Sequence, residues 1–400
     1  MKVLFLSRWF PYPADNGSKI RALNVLRHLA ERHEVALVTF GEPAELADAS
    51  RLRALRAYCS SVRALPYRRF RPTSARSVAG LVSWQPRSLV DTFQPALRDA
   101  VAEEVSTRGC DVLLVSQLDM APYAVALPGV PAVLEELELT TYEDAFQAAA
   151  PAPHRLRARL TWLKLGTYLR RILPRFDACT VVSEAERRRL RKLAPTYANV
   201  HVIPNALDLR AYAGPFGPPR PDSLIYTGGL TYRPNYDAVD HFLRRVYPAI
   251  VRAVPTAQFK VTGPTEGVDL ASLPRLPGVE FTGYLPDVRP SLAESWVAVV
   301  PLRHGGGTRL KILEALAVGT PVVSTAKGAE GLAVTPGQDI LLADDPARFA
   351  TSAIDLLRSP GLRARLAAAG RRLVESCYDW ASVGHELSAL VERAAARKVA

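Results

Sequence analysis

The sequence predicts an α/β fold made of two doubly wound domains, and three observations lead to this prediction. The chain has 400 residues, which is too long for one ordinary hydrophobic core, so two domains are expected. Short apolar runs alternate with helical patterns in each half, as in successive βαβ units of a parallel sheet. Between the halves, residues 214–221 read Gly-Pro-Phe-Gly-Pro-Pro-Arg-Pro, a composition that excludes helix and strand and marks a linker.

The first half opens with a continuous apolar run at Val3–Ser7, as expected of a buried parallel strand. A helix begins at Gly17 or Ser18, and Ser183 caps a later one. The other strands predicted here are Val35–Phe40, Asp111–Ser116, Val130–Leu134 and Ala178–Val182. Such a series predicts a parallel sheet with helices on both faces.

The alternation restarts after the linker. The predicted strands are Leu224–Thr227, Gln258–Thr262, Val279–Phe281, Val297–Pro301, Pro321–Ser324 and Ile340–Leu342. The predicted helices are 235–253, 287–295, 308–318, 346–358 and 379–397. Two such sheets would bind ligands at the carboxyl ends of their strands, facing a central cleft.

Composition excludes several classes of protein. The chain is 48% hydrophobic and 22% charged, so it is not a disordered protein. No apolar run approaches the roughly 20 residues of a spanning helix, and the N-terminal apolar run is too short for a signal peptide, so a cytoplasmic protein is expected. The four cysteines are scattered singly, which predicts neither a zinc site nor a disulfide framework.

Positive charge is concentrated in two stretches of a chain whose net charge is +12. Between Asp48 and Asp91 there are nine arginines and no acid, and a second basic stretch runs from Arg155 to Arg175. Two interpretations stay open: a solvated surface, or attraction to anionic lipid headgroups or a phosphate-bearing acceptor. The first stretch also contains apolar side chains that either belong to the core or insert shallowly into a membrane: Tyr67, Phe70, Leu81, Val82 and Trp84. Nucleic acid is not expected, because no binding motif accompanies the charge.

A glycine-rich segment in the second half carries most of the functional signal. A strand ends at Pro301, three glycines follow, and a helix is predicted to begin near Thr308 and to end at Gly319. Free N–H groups at a helix N-terminus together with two cations are typical of a diphosphate site, although both cations could instead point to water. The candidate ligand-binding residues of this segment are Gly305, Gly306, Gly307, Thr308, Arg309 and Lys311.

Glu314 lies three residues after Lys311, on the same helical face and among apolar neighbours. Its carboxylate either pairs with Lys311 or holds a pair of ligand hydroxyls, such as those of a ribose. The spacing alone leaves both interpretations open.

This segment resembles the donor-site motif of the GT-B glycosyltransferases, in particular the retaining family 4. The family motif is Glu, seven residues, a second Glu, then Ala-x-Ala-x-Gly-x-Pro-Val-Val. The second Glu matches Glu314, which implies contact with the ribose of the nucleotide. Gly306 stands where the family usually has the first Glu, as in a branch in which a glycine-rich turn and a basic residue replace the acid.

Other segments agree with the family in order along the chain. The loop after the first strand ends at Gly17, whose backbone is implied to face the donor phosphate. Gly229 occupies the usual arginine position of a phosphate-binding loop, which leaves Arg233 as the basic candidate there. The donor-binding residues implied by the resemblance include Gly17, Gly228, Gly229, Gly263, Tyr284 and Leu285.

The resemblance implies two Rossmann-like domains in the GT-B arrangement. Residues 1–205 would form the acceptor side, with the C-terminal helix of 377–400 packing back on it, and 206–376 would bind the donor. The implied reaction moves a sugar from a UDP- or GDP-linked donor to a saccharide or lipid-linked acceptor, with retention, in polysaccharide or glycoconjugate biosynthesis. Neither a metal nor another cofactor is expected, because Arg233, Arg309 and Lys311 can neutralise the leaving diphosphate.

The acceptor side is less clearly marked. The family often has a His after the strand that corresponds to Asp111–Ser116, whereas Gln117 and its neighbours include no His. Glu135 and Glu136 follow the predicted strand Val130–Leu134 and either line the acceptor side or lie in a solvated loop. Two alternative functions are a sugar-nucleotide epimerase on the same fold and a non-catalytic nucleotide-sugar-binding homologue. The expected location is cytoplasmic, with peripheral attachment to the inner face of the plasma membrane.

Overall fold

The computed structural model describes residues 1–147, 151–307 and 309–397. Thr308, one of the predicted donor-site residues, therefore lies outside the described residues. The chain divides into two compact units. The first contains Met1–Asn205 and the chain from Ala381 onward, and the second contains Ala206–Trp380.

The sheet of the first unit is entirely parallel and, within the described residues, has seven strands in the order β3-β2-β1-β4-β5-β6-β7. Its strands are β1 Lys2–Ser7, β2 Glu34–Gly41, β3 Ser61–Pro66, β4 Val112–Ser116, β5 Ala132–Glu135, β6 Ala178–Val181 and β7 Val200–Val202. The sequence did not predict β3, because Arg63 interrupts it and its side chains are only partly buried at the sheet edge. The parallel series predicted for the first half is confirmed.

Helices cover this sheet. They are α1 Gly17–Ala30, α2 Pro43–Ala47, α3 Ala49–Arg56, α4 Ala75–Ala79, α5 Arg87–Thr92, α6 Pro95–Arg108, α7 Ala121–Val125, α8 Thr140–Gln147, α9 Ala152–Ile172 and α10 Glu184–Leu193. The α1 helix begins where the Asn16 side chain accepts a hydrogen bond from the N–H of Lys19. Ser183 caps α10 in the same way through the N–H of Glu186, as predicted.

The sheet of the second unit is also parallel, with the order β10-β9-β8-β11-β12-β13 among the described residues. Its strands are β8 Ser223–Thr227, β9 Gln258–Thr262, β10 Val279–Gly283, β11 Val297–Val300, β12 Val322–Ser324 and β13 Leu341–Leu342. The remaining helices are α11 Arg233–Arg245, α12 Tyr247–Ala253, α13 Arg289–Glu294, α14 Leu310–Ala317, α15 Pro346–Arg358, α16 Pro360–Cys377 and α17 Trp380–Ala396. No helix within the described part of the chain is long and apolar enough to cross a bilayer.

Two helix predictions were wrong in detail. The helix predicted at 235–253 is broken at Val246 into α11 and α12, because Pro248 lies in the first turn of α12 and cannot continue a preceding helix. The helix predicted to begin near Thr308 begins at Leu310, with Arg309 as its N-cap. The strand order reverses between β1 and β4 in one sheet and between β8 and β11 in the other, so ligands are expected beside these strand ends.

Candidate functional site

The loops that follow β8, β9 and β10 lie against one another through their backbones. The N–H of Gly228 donates to the carbonyl of Thr262 at 2.9 Å, and the N–H of Gly263 donates to that of Gly283 at 2.9 Å. A Cβ on Gly263 would lie 2.5 Å from the carbonyl carbon of Gly228, and its φ is 128°. Only glycine permits this approach, so the loops present bare backbone at the carboxyl edge of the sheet.

Lys311 of α14 reaches the same edge. Its Nζ donates to the Tyr226 hydroxyl at 2.8 Å and to Asn235 Oδ1 at 3.1 Å. It also lies 4.2 Å from the centroid of the Tyr226 ring. A Cβ on Gly228 would lie 2.6 Å from this ammonium nitrogen. The glycine therefore leaves the space that the lysine side chain occupies.

The ammonium group of Lys311 is held by neutral partners. Among the described residues no ion pair joins it to a carboxylate, and the side chain is half-buried. Burial, together with the positive charge of Arg309, lowers the pKa of Lys311 to about 7. A ligand that brings negative charge would restore the charged form, so the site favours an anion.

Two helices begin beside this lysine without a side-chain cap among the described residues. These are α11, which follows β8, and α14, which follows β11 on the other side of the reversal in strand order. The unsatisfied N–H groups of a first turn, with the helix dipole behind them, bind anions. Both helix N-termini therefore add to the attraction of Lys311 for an anion.

The glycine-rich turn is held in place by Arg309. The guanidinium donates to the carbonyl oxygens of Gly306 at 2.8 Å and Gly305 at 2.5 Å, and Arg309 is buried. Gly305 and Gly307 have φ values of 101° and 84°, which glycine adopts without strain. In this arrangement the Arg309 side chain stabilises the turn rather than pointing to solvent, and its contact with a ligand stays a prediction.

The turn is also tied to α11. Arg303 donates to both carboxylate oxygens of Asp237, at 3.1 Å and 2.6 Å. A Cβ on Gly305 would lie 3.1 Å from the Pro234 ring, so the turn packs closely on the start of α11.

Arg233 is exposed, and no hydrogen bond or ion pair engages its side chain within the described residues. Its guanidinium is thus available to a ligand.

Glu314 is engaged by a tyrosine. The hydroxyl of Tyr212 donates to Glu314 Oε1 at 3.2 Å, and burial raises the pKa of this carboxyl group. No ion pair joins Glu314 to Lys311 in the described part of the chain, so the interpretation that the two side chains pair directly is not supported. Tyr284 and Leu285 follow β10, where Tyr284 is 60% exposed and Leu285 half-buried.

In the first unit, the strand ends bring the predicted acceptor-side residues together. Gln117 Nε2 donates to Glu136 Oε2 at 3.1 Å, and Trp9 Nε1 donates to Gln117 Oε1 at 3.0 Å. Gln117 and Glu136 have φ values of 70° and 58°, which non-glycine residues adopt at some energetic cost. Gly17 lies in the same unit as the first residue of α1, and it is exposed.

Glu135, the last residue of β5, and Glu136, which follows it, are both buried, so their interpretation as part of a solvated loop was wrong. Arg21 Nε donates to Glu135 Oε1 at 2.6 Å, and both side chains are 1% exposed. Arg21 also donates to the carbonyls of Ile203 and Pro204. Burial and the neighbouring charge of Glu135 raise the pKa of Glu136 well above its ordinary value. Glu135 thus supports the fold, whereas Glu136 faces Gln117.

The sequence did not identify the residues whose side chains form hydrogen bonds with the predicted site residues. Tyr226 is a tyrosine in an aliphatic strand, and Asn235 follows a proline at a helix start, so both carried a weak signal. Arg21 was detectable as a cation on the buried face of α1, which also contains Lys19. Tyr212, in the segment between the two sheets, carried no signal. Within the described residues no group of His, Cys, Asp and Glu side chains is arranged to hold a metal ion.

Comparison with known proteins extends these observations. The family described as "Glycosyltransferase Family 4" matches residues 15–211, and the family described as "Glycosyl transferases group 1" matches residues 221–359. A curated relative is the GDP-mannose-dependent monoacylated alpha-(1-6)-phosphatidylinositol monomannoside mannosyltransferase of Corynebacterium glutamicum, 26% identical over 254 residues. The alignment covers 56% of this chain and 64% of that protein's length.

Solved structures resemble the whole chain. Sucrose-phosphate synthase from Thermosynechococcus elongatus aligns with a TM-score of 0.68 at 18% identity, covering 98% of this chain and 99% of that one. Anabaena HepE in complex with UDP-glucose aligns with a TM-score of 0.66 at 13% identity, covering 98% and 100%. At these identities the likeness shows the fold, GT-B with two Rossmann-like domains, which confirms the predicted fold class.

Proposed function

The chain belongs to the group 1, family 4 glycosyltransferases, and from this premise we propose that it moves a sugar from a nucleotide-sugar donor to a saccharide or lipid-linked acceptor. The observation that carries the proposal is Lys311, a lysine without a carboxylate partner among the described residues, on a glycine-lined strand edge. A UDP- or GDP-linked sugar supplies the diphosphate that such an edge would hold.

Negative charge grows on the diphosphate as the bond to the sugar breaks. Lys311, the starts of α11 and α14 and the available guanidinium of Arg233 would stabilise this charge. Lys311 and the two helix starts are fixed by the fold before the reaction begins, so they need little reorganisation. The proposed reaction therefore uses neither a metal ion nor another cofactor.

Glu314 would accept hydrogen bonds from the ribose hydroxyls, with Tyr212 positioning its carboxylate. Tyr284 and Leu285, on the loop after β10, would contact the base, as the family resemblance implies. The position of the missing family glutamate is Gly306, whose carbonyl accepts from Arg309. Contacts to the donor sugar would then come from the backbone of this turn.

Retention at the anomeric carbon is proposed from the family resemblance alone. In such a reaction the leaving phosphate accepts the proton of the acceptor hydroxyl, so no side-chain base is required. On the acceptor side, burial raises the pKa of Glu136 well above its ordinary value, and this carboxyl group would form a hydrogen bond with a hydroxyl group of the acceptor. Gln117 fixes the orientation of that carboxyl group.

The acceptor would be a saccharide or a lipid-linked molecule of polysaccharide or glycoconjugate synthesis. The name of the Corynebacterium relative describes an acylated phosphatidylinositol mannoside acceptor and a GDP-mannose donor. That name supports a lipid-linked acceptor without assigning either substrate to this chain.

The proposal is tested by incubating the protein with UDP-, GDP- and ADP-sugars, with and without lipid and saccharide acceptors. We expect acceptor-dependent release of nucleoside diphosphate, and proton NMR of the early product should show the anomeric configuration of the donor. A β-linked product from an α-linked donor would contradict retention. A changed sugar in the absence of acceptor would instead assign the protein as a sugar-nucleotide epimerase, and binding without turnover would assign a non-catalytic homologue.

A further inference from the structure

The first unit carries an exposed apolar surface formed by the α9 helix and the adjacent segment 78–84. On α9 the exposed apolar side chains recur at a spacing of four and three residues, which places them on one face: Leu156, Leu160 and Leu163 are 60%, 47% and 65% exposed. On the segment they are Val78, Leu81, Val82 and Trp84, with exposures of 52%, 52%, 93% and 40%. We call these seven residues the α9 surface.

Specific contacts hold the two parts of the α9 surface together. Lys164 Nζ donates to the carbonyl of Gly80 at 2.9 Å and to that of Leu81 at 2.6 Å. The ring of Trp84 stacks on that of Tyr168 with centroids 5.5 Å apart. The segment therefore runs beside α9, and its exposed apolar side chains lie next to the helix that carries the exposed leucines.

The charged residues of the α9 helix are all basic. Between residues 152 and 172 there are six cations and no acid. The exposed ones are Arg155, Arg157, Arg159, Arg170 and Arg171. No ion pair engages these five among the described residues, although Arg170 donates to the carbonyl of Leu193 and Arg171 lies 4.8 Å from the ring of Trp84.

The acid-free run between Asp48 and Asp91 differs from α9. Arg63 pairs with Glu103 and Glu104, Arg68 with Asp91, and Arg69 with Glu42. Arg76 and Arg87 donate to backbone carbonyls. Most of the charge that the sequence placed in this run is thus engaged within the unit, whereas none of the five exposed arginines of α9 forms an ion pair among the described residues.

We propose that the α9 surface docks on the anionic face of a lipid bilayer. An interfacial helix has leucines on one face and arginines beside them, and its apolar side chains enter the boundary between headgroups and acyl chains. A second copy of the chain would bring two sets of unpaired arginines together, which like-charge repulsion disfavours. Anionic headgroups complement the same arginines.

The inference rests on the proposed function in one respect only: docking would bring the acceptor side of the enzyme to a lipid-linked acceptor. Binding to lipid itself needs neither donor nor acceptor. Vesicle binding measured without substrates therefore tests the docking proposal alone. Nucleotide titration measured without vesicles tests the proposed function alone.

The experiment is flotation of the full-length protein with vesicles of phosphatidylcholine alone or with about one-third phosphatidylglycerol. We expect binding to the anionic vesicles only. Raising the salt to 1 M should release the protein, because the screening length falls from about 8 Å to about 3 Å. Equal binding to both vesicle types, or no binding to either, would overturn the proposal.

Paired variants locate the surface. Each basic residue near an anionic surface contributes about fivefold in affinity, so Arg155→Gln with Arg159→Gln should weaken binding about thirtyfold. The matched control, Arg53→Gln with Arg56→Gln, removes the same charge from exposed positions of α3 and should bind as the parent does. Equal loss in both double variants would show that net charge alone acts, which contradicts the proposal.

An apolar variant tests insertion. Leu160→Ser with Leu163→Ser should weaken anionic-vesicle binding at least tenfold, while the thermal midpoint and the nucleotide affinity stay unchanged because both side chains are exposed. Unchanged vesicle binding would overturn insertion by this face. Concentration-dependent dimerisation that the leucine variant abolishes, with no vesicle binding, would assign the surface to a second copy instead.

Discussion

The strand ends of the two units have the same topology and different chemistry. Both sheets are parallel and reverse their strand order after the third strand from one edge. At this point the second unit has loops lined with glycine and a lysine without a carboxylate partner in the described chain. The first unit has a buried ion pair between Arg21 and Glu135, with Gln117 and Glu136 beside it. The difference shows that side chains, rather than topology, set the chemistry of each edge.

The energetic consequences of the two arrangements are opposite. The ion pair of the first unit is satisfied inside the protein, so removing one partner leaves an uncompensated buried charge. The lysine of the second unit has a lowered pKa, which means that the free protein holds its charged form at a cost. Removing one partner of the ion pair should therefore alter stability, whereas removing Lys311 should alter ligand affinity.

The largest expected effect is on the first edge. Arg21→Leu should lower the free energy of unfolding by about 3–5 kcal/mol, because Glu135 then stays buried without its partner. The double variant with Glu135→Leu should recover part of the loss. Urea denaturation measures both, and a loss below about 1 kcal/mol for the single variant would show that the ion pair is not needed for the fold.

The next effect concerns the glycine-lined loops. Gly263→Ala should destabilise the second unit by about 1–3 kcal/mol and weaken nucleotide binding, since its Cβ would meet the backbone of Gly228. Gly267→Ala is the control: its φ is also positive, at 74°, but the space around its Cβ position is open. Thermal unfolding and nucleotide titration compare the two, and equal effects would mean that close approach of the loops plays no part.

The pH dependence of nucleotide affinity tests the lysine. With a pKa of about 7 in the free protein, Lys311 is largely neutral above that pH, and a bound diphosphate raises its pKa again. Binding then takes up a proton, and the affinity should fall by up to about tenfold per unit as the pH rises above 7. Calorimetry in two buffers of different ionisation enthalpy measures the uptake. An affinity that does not change between neutral and alkaline pH would contradict this assignment.

The smallest effect is expected at Glu314. Glu314→Gln should weaken binding of a nucleoside diphosphate by about fivefold, the value of one neutral hydrogen bond, and should leave pyrophosphate binding unchanged. Parallel titrations with the two ligands measure the difference. Equal losses would assign Glu314 to positioning Lys311 rather than to the ribose.

The sequence predicted the elements with strong local patterns. The strand Gln258–Thr262 and the helix at 346–358 agree with the structure, because alternating polar and apolar residues in one and a capped, amphipathic period in the other define them locally. The break between α11 and α12 was missed although Pro248 marks it locally, and the edge strand β3 was missed because Arg63 interrupts its apolar residues.

The partners of the site residues could not be predicted from local patterns. Tyr226 and Asn235, which hold Lys311, lie 85 and 76 positions away from it along the chain. The sequence predicted Arg309 as a ligand-binding cation. In the structure its guanidinium donates hydrogen bonds to two backbone carbonyls of the glycine-rich turn. Hydrogen bonds between residues far apart in the sequence depend on the packed fold. The spacing of residues along the chain therefore does not predict them.

The central claim is that the glycine-lined edge of the second unit binds the diphosphate of a nucleotide sugar through Lys311. Isothermal titration with UDP and GDP tests it most directly, on the parent, on Lys311→Ala and on Lys260→Ala, a control lysine whose Nζ pairs with Glu294 at 3.6 Å. A charge-assisted bond is worth about 1.5–3 kcal/mol, so Lys311→Ala should weaken the better ligand about ten- to a hundredfold, with Lys260→Ala unchanged. Binding by Lys311→Ala as tight as that of the parent would contradict the account.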